Sequence, residues 1–210
     1  MSPDANAHDR IYTALKSRLA AGHYPPGLRL EILRIADEYR SSATPVREVL
    51  ARLVGEGLVE AHVQGGFRAA HLDASALAGL YQWSAIILGG AFNLIAATNA
   101  APLIRPAAST SGAITAESGA ATIASLFSKI AQASQNDEII KAVILVSTRL
   151  SFVRIAEPTV LKMVPKEIYG LQRIASSNDM LTLRRRIVAY HQRRIIHSDA
   201  LISVLPQWID

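Results

Sequence analysis

SSATPVREVL, residues 41–50, places a proline and an arginine at the start of an apolar helical pattern. Pro45 falls within the first turn of a helix whether Ser42 or Thr44 is the N-cap. The first N–H groups of a helix have no partner inside it, so a residue without an N–H costs little there. The Ser or Thr hydroxyl can cap a neighbouring orphan N–H. Val46, Val49, Leu50, Leu53 and Val54 share one face. Thr44 and Arg47, three apart, lie opposite it. The spacing therefore predicts a helix that buries one side and presents a hydroxyl and a guanidinium near its positive N-terminal end. A helix entering the DNA major groove N-terminus first needs those groups, and arginine can clamp guanine or a phosphate.

Working outward, Ile11, Leu15 and Leu19 predict a first helix over Asp9–Ala21, stopped by Gly22 and the following HYPPG. Leu30, Leu33, Ile35, Ala36 and Tyr39 predict a second helix, Leu30–Tyr39, and the third runs to about Gly57. There the period changes. LVEAHV and FRAAHL flank Gln64-Gly65-Gly66 and read as a β-hairpin. Three helices and a two-stranded wing make a winged helix-turn-helix over residues 9–72, behind a flexible arm of residues 1–8. From Ala74 onward every periodic segment is helical, so residues 73–210 are expected to form an all-α helical bundle and the fold class is mainly α. The Ala/Ser/Thr-rich stretch 106–122 reads as loop.

Composition narrows the function. The chain has 210 residues, 22 Lys/Arg against 17 Asp/Glu, and no cysteine. Disulfides, thiolate metal sites and Cys nucleophiles are excluded, which fits a cytoplasmic location. Residues 1–72 hold nine basic and eight acidic residues, so the basic excess lies mostly in the second half. Bulk charge carries little of the DNA-binding argument; the motif carries it. The N-terminus has no apolar signal-peptide core. The uncharged run from Ala74 to Ile104 is broken by two asparagines, a Gly-Gly pair and Pro102, so it reads as a buried helix rather than a membrane span. No Ser-His-Asp arrangement, P-loop, dinucleotide fingerprint or carboxylate pair points to an enzyme. Arg184-Arg185-Arg186, Arg193 and Arg194 read as a solvated surface helix.

PPGLRL, TPVREVLARLVGEGLVE and GGFR stand in the register of the DNA-binding domain of the GntR family of bacterial transcription regulators, which residues 9–70 resemble. The resemblance implies that Ser42, Thr44 and Arg47 contact DNA, that Gln64 and Gly65 at the wing tip approach the minor groove, and that Arg34 is a phosphate contact. It implies a homodimer on a pseudo-palindromic double-stranded operator, and repression as the commoner outcome. The family commonly has arginine where Ala43 stands, so one contact is missing and the half-site should differ.

The second half resembles the helical effector domain of the FadR-like (FCD) subfamily in LYQWSAIILGGAFNLIAATNA, LFSKIAQASQN, KEIYGLQRIASSND and MLTLRRRIVAYHQRR. Many members hold a divalent metal there with one Asp and three His, and the metal holds a small carboxylate effector. Here Ile123, Phe127, Ile168 and Tyr190 stand at those four positions. Ile and Phe cannot ligate a cation, and Tyr is a poor ligand for such a site. Shifting the register by one would bring Ser128, Glu167 and His191 forward, and would turn apolar neighbours outward. Ser84 and Leu88 replace an Arg and a Glu near the family's pocket. The expectation is a pocket of Ser84, Leu88, Ile123, Phe127, Ile168 and Tyr190, with no metal or cofactor, holding an apolar or neutral effector. The alternative is a closed, non-sensing C-terminal domain on a regulator or architectural DNA binder.

Overall fold

The computed structural model describes residues 3–63, 65–97 and 114–206. The chain divides into two compact units, one of Met1–Leu72 together with Leu205–Asp210 and one of Asp73–Val204.

In the first unit, α1 (Pro3–Ala20), α2 (Ile32–Glu38) and α3 (Ala43–Gly55) enclose one core with Ile11, Leu15, Ile35, Val46, Val49, Leu50 and Leu53 buried. The i, i+3, i+4 apolar spacing of α1 and α3 directs those side chains inward. Two expectations shift. Residues 3–8, expected as an arm, lie within α1. The second helix starts at Ile32 rather than Leu30, and Leu33 is exposed rather than in the core.

The wing also has more than the expected two strands. β1 (Arg29–Leu30), β2 (Val59–Ala61) and β3 (Phe67–Ala69) form one antiparallel sheet in the order β1-β3-β2. Arg29 pairs with Arg68 and Leu30 with Phe67, so residues next to the PPG turn tie into the hairpin. Gly65 and Gly66 at the tip have φ of 90° and 91°, a region that L side chains adopt only with strain.

The second unit consists, among the described residues, of α4 (Ala74–Ala97), α5 (Ala116–Ala133), α6 (Asp137–Val160), α7 (Val164–Ser176), α8 (Met180–Ile196) and α9 (Ser198–Ser203). α4 packs on α5, α6, α8 and α9, and α5 lies along α6. Local chemistry sets the starts. Thr115 and Ser118 form a reciprocal capping box on α5. Asn136 accepts from Ile139 N–H on α6 at 3.0 Å, and Asp179 from Thr182 N–H on α8 at 3.0 Å. Residues 116–122, expected as loop, are therefore helical; residues 106–113 lie outside the described residues. α4 is long and apolar enough to cross a membrane by length and composition. Its buried stripe, from Leu77 and Tyr81 to Phe92 and Ile95, packs against neighbouring helices as a core helix does.

Candidate functional site

The first candidate is the exposed end of α3. Ser42 is its N-cap by backbone conformation, but its side chain makes no capping bond, so the expected hydroxyl cap is not formed. Ser42, Thr44 and Arg47 are all exposed, as are Arg34 on α2 and Gly65 at the wing tip. Gln64 lies outside the described residues. The other face of α3 is anchored. Tyr12 donates to Glu56 Oε1 at 2.5 Å, Lys16 to Glu56 Oε2 at 2.6 Å, and the Arg52 guanidinium lies 3.6 Å from the Tyr12 ring centroid. Burial opposes the Glu56 charge, but the Lys16 and Tyr12 hydrogen bonds outweigh it and lower its pKa. This cluster fixes the far end of α3 to α1, so its N-terminal hydroxyl and guanidinium are presented from a rigid element.

The second candidate is a cavity of about 70 Å³ among α5, α6, α7 and α8. Ile123, Ile168 and Tyr190 from the expected set line it, together with Gly119, Val164, Arg154 and Glu157. The other three of the set pack without lining it. Leu88 is buried on α4. Phe127 meets Tyr190 edge-on, ring centroids 5.5 Å apart, and stacks on His191 at 5.4 Å. Ser84 bonds His191 Nε2 at 2.9 Å, while His191 Nδ1 faces the Ile187 carbonyl at 2.7 Å. A carbonyl can only accept, so Nδ1 carries the proton and Ser84 donates to Nε2. Burial, reinforced by Arg154 and Arg194 against the Ile187 bond, pushes the His191 pKa down to about 3, and the ring is neutral.

A buried ionic network closes one wall. Arg194, fully buried on α8, donates to Glu157 through Nε at 2.8 Å and Nη2 at 2.7 Å, and to Glu167 at 3.1 and 3.3 Å. Its guanidinium lies 3.3 Å from the Tyr190 ring centroid. Tyr81 donates to Glu157 at 2.7 Å; the Tyr190 hydroxyl reaches the same oxygen only at 3.5 Å. Burial works against the Arg194 charge, but the facing Tyr190, Glu157 and Glu167 outweigh it and raise its pKa. Burial pushes the Tyr190 hydroxyl up to about 12. Arg193 pairs with Glu167 at 3.4 Å.

Two expectations change. Arg194 is a core residue, not part of a solvated arginine surface; Arg184, Arg185 and Arg186 are exposed. The pocket is not purely apolar, because Arg154 and Glu157 stand on its wall. Neither residue was singled out in the sequence, yet the signal is there. Val143, Val146, Leu150 and Val153 step by three and four along α6, and the same stripe continues into Glu157 with Arg154 beside it. A charge on the buried stripe of a helix is a buried charge.

The donor set does not suit a metal. Ile123, Phe127 and Ile168 offer no ligand atom, and among the described residues no cluster of three or more His, Asp or Glu side chains could hold an ion. The shifted register fares no better. Glu167 is engaged by arginines, His191 by Ser84 and Ile187, and Ser128 receives a bond from Gln132.

Residues 7–68 match the profile of the bacterial regulatory proteins, gntR family. The chain is 30% identical over 138 residues to the Nta operon transcriptional regulator of Aminobacter aminovorans, covering 63% of this chain and 66% of that relative, just under two thirds of its length. Among solved structures, a GntR transcriptional regulator from Rhodococcus sp. RHA1 superposes with a TM-score of 0.70 at 12% identity, over 95% of this chain and 99% of that one. Escherichia coli McbR/YncC gives 0.64 at 16% identity, over 94% and 97%. At such identities the structures speak for the fold alone.

Proposed function

We propose, from the GntR-family helix-turn-helix domain at residues 7–68, that this chain is a sequence-specific DNA-binding transcription regulator, not an enzyme. It acts in the cytoplasm as a homodimer on a pseudo-palindromic operator, most often as a repressor. The observation that carries this reading is the exposed start of α3, where Ser42, Thr44 and Arg47 stand together at the positive end of a helix whose other face is buried. Two such helices related by a two-fold axis read two half-sites and multiply specificity.

The dimer reading rests on α4, where Trp83, Ile86 and Leu94 are exposed at 51%, 65% and 38% on a helix whose other side is packed in the core. A second copy that covers them removes apolar surface from water. The second unit serves as the effector-sensing domain and needs no metal, since its cavity offers apolar side chains, an arginine and a carboxylate, Glu157, already engaged by Arg194 and Tyr81.

An operator selected from random duplex DNA, followed by fluorescence anisotropy, tests the reading. Arg47→Ala should weaken binding about 10- to 100-fold, the worth of one bidentate base contact, with the thermal melt unchanged. Undiminished affinity with the same salt dependence would remove Arg47 from the interface.

A further inference from the structure

α7 and α8 pack against each other and leave an open groove of about 450 Å³ along their outer side. On α7 its lining steps from Met163 through Lys166 and Gly170 to Ile174, and on α8 from Arg186 through Ala189 to Arg193. Steps of three and four residues put one face of each helix on the groove. From Met163 to Ile174 is about 16 Å at the helical rise, or three turns. The groove is open because its middle is small. Gly170 has no side chain, one added there would meet no atom within 4 Å, and Ala189 offers only a methyl group. Leu171 and Ile174 make the floor apolar.

The rim is basic. Lys166, Arg173, Arg186 and Arg193 line it against one carboxylate, Glu167. Glu167 is already taken, by Arg193 at 3.4 Å and by the buried Arg194 at 3.1 Å. Lys166, Arg173 and Arg186 are exposed and make no ion pair among the described residues. Three positive charges thus stand around an apolar trough with nothing to balance them.

We propose that this groove is a docking site for an acidic amphipathic helix of a partner protein. The proposal goes beyond the DNA-binding reading and does not rest on it. Shape and charge select the occupant. A helix laid between two others buries a ridge of side chains at i, i+3, i+4 and i+7, and three turns supply a ridge of matching length. Acidic residues beside that ridge meet the three unbalanced cations, which gives an apolar centre with a polar, charge-matched rim. A bilayer surface is flat and leaves the middle of the groove unfilled. A nucleic-acid strand finds no aromatic ring on the lining to stack on.

Fluorescence anisotropy with the full chain and three labelled synthetic peptides of about 18 residues, long enough to form a helix alone, tests this. The first has leucines at i, i+3, i+4 and i+7 flanked by glutamates. The second has lysine for every glutamate. The third scrambles the first so that leucines surround the helix. The acidic amphipathic peptide should bind saturably and at least about tenfold more tightly than either control. Raising salt from about 0.1 to 1 M should weaken it several-fold, because the Debye length falls from about 10 to 3 Å. Gly170→Leu should cut the affinity at least about tenfold with Tm unchanged or raised, since leucine fills the groove and favours helix over glycine. The double variant Arg173→Glu, Arg186→Glu should lose the acidic peptide and take up the lysine one. No saturation up to about 0.5 mM would overturn the proposal, as would equal binding of the scrambled peptide, or undiminished binding by Gly170→Leu. Sedimentation velocity and flotation with phosphatidylserine vesicles distinguish other occupants. A wild-type oligomer that Gly170→Leu dissociates would give the groove to a second copy of this chain. Vesicle binding that the double variant loses and Gly170→Leu keeps would give the face to a lipid surface. Either result would overturn the proposal.

Discussion

Replacing Glu157 by glutamine should unfold the second unit at much lower denaturant. The carboxylate accepts two bonds from Arg194 at 2.7 and 2.8 Å and one from Tyr81 at 2.7 Å, and it is 2% exposed. Glutamine keeps the shape and removes the charge. Glu167, at 3.1 and 3.3 Å and at the edge of the core, is then the one carboxylate left to Arg194. Removing one partner of a buried pair costs about 3–5 kcal/mol because the other charge stays buried. With a urea slope of about 2 kcal/mol/M, the midpoint followed by far-ultraviolet circular dichroism should fall by about 1.5–2.5 M. The shift should persist in about 1 M salt, where exposed pairs such as Lys141–Glu138 are screened and this one is not. In an Arg194→Met background the same change should cost less, since no buried guanidinium is left at that position to compensate; a coupling of about 0.5–3 kcal/mol is expected. A midpoint shift under about 0.3 M, or strictly additive single costs, would refute the view that Glu157 and Arg194 act as one unit.

Two further expectations concern acid and metal. The folded pKa of His191 lies near 3, below the ordinary 6.5, so protonation favours the unfolded chain. Its contribution to stability is complete above pH 6.5 and is lost as pH falls toward 3, at up to about 1.4 kcal/mol per pH unit. Wild type should lose about 2 kcal/mol between pH 6.5 and 5 that His191→Phe does not lose; parallel profiles would contradict the neutral, buried ring. EDTA should leave Tm unchanged, whereas a fall of several degrees reversed by Zn²⁺ or Mn²⁺ would overturn the metal-free reading.

α1 and α3 were legible because their apolar spacing is strict and a glycine stops each, at Gly22 and Gly57; in α2 the exposed Leu33 blurred the pattern and its start. β1 was not legible. It has two residues, no alternation to read, and exists only because β3 offers it a partner. The start of α5 was hidden by composition: Ala, Ser and Thr read as loop until Thr115 and Ser118 are seen capping each other. In the second unit Ile123, Ile168 and Tyr190 line one cavity, whereas Ser84, Leu88 and Phe127 of the expected pocket pack outside it. The resemblance bears on the ligands that are missing and says nothing of Arg154, Glu157 and Arg194. Those residues were visible only as charges on buried stripes, and that α6 and α8 bury their charged positions is settled by tertiary packing, which local spacing does not encode.

The pairing of β1 with β3 also bears on the order in which the first unit assembles. Val59 and Ala69 lie close in the chain, so the hairpin closes over a short loop. Leu30 and Phe67 are separated by α2 and α3 together, and the entropy of closing so long a loop must be met before two residue pairs can repay any of it. Packing of those helices shortens the effective loop, so β1 docks after the core has formed. The sheet is then completed by its weakest link: a wing whose attachment is late to form and early to open sits at the low-stability end of the domain. The wing tip proposed to settle against a groove of variable width would gain from that order.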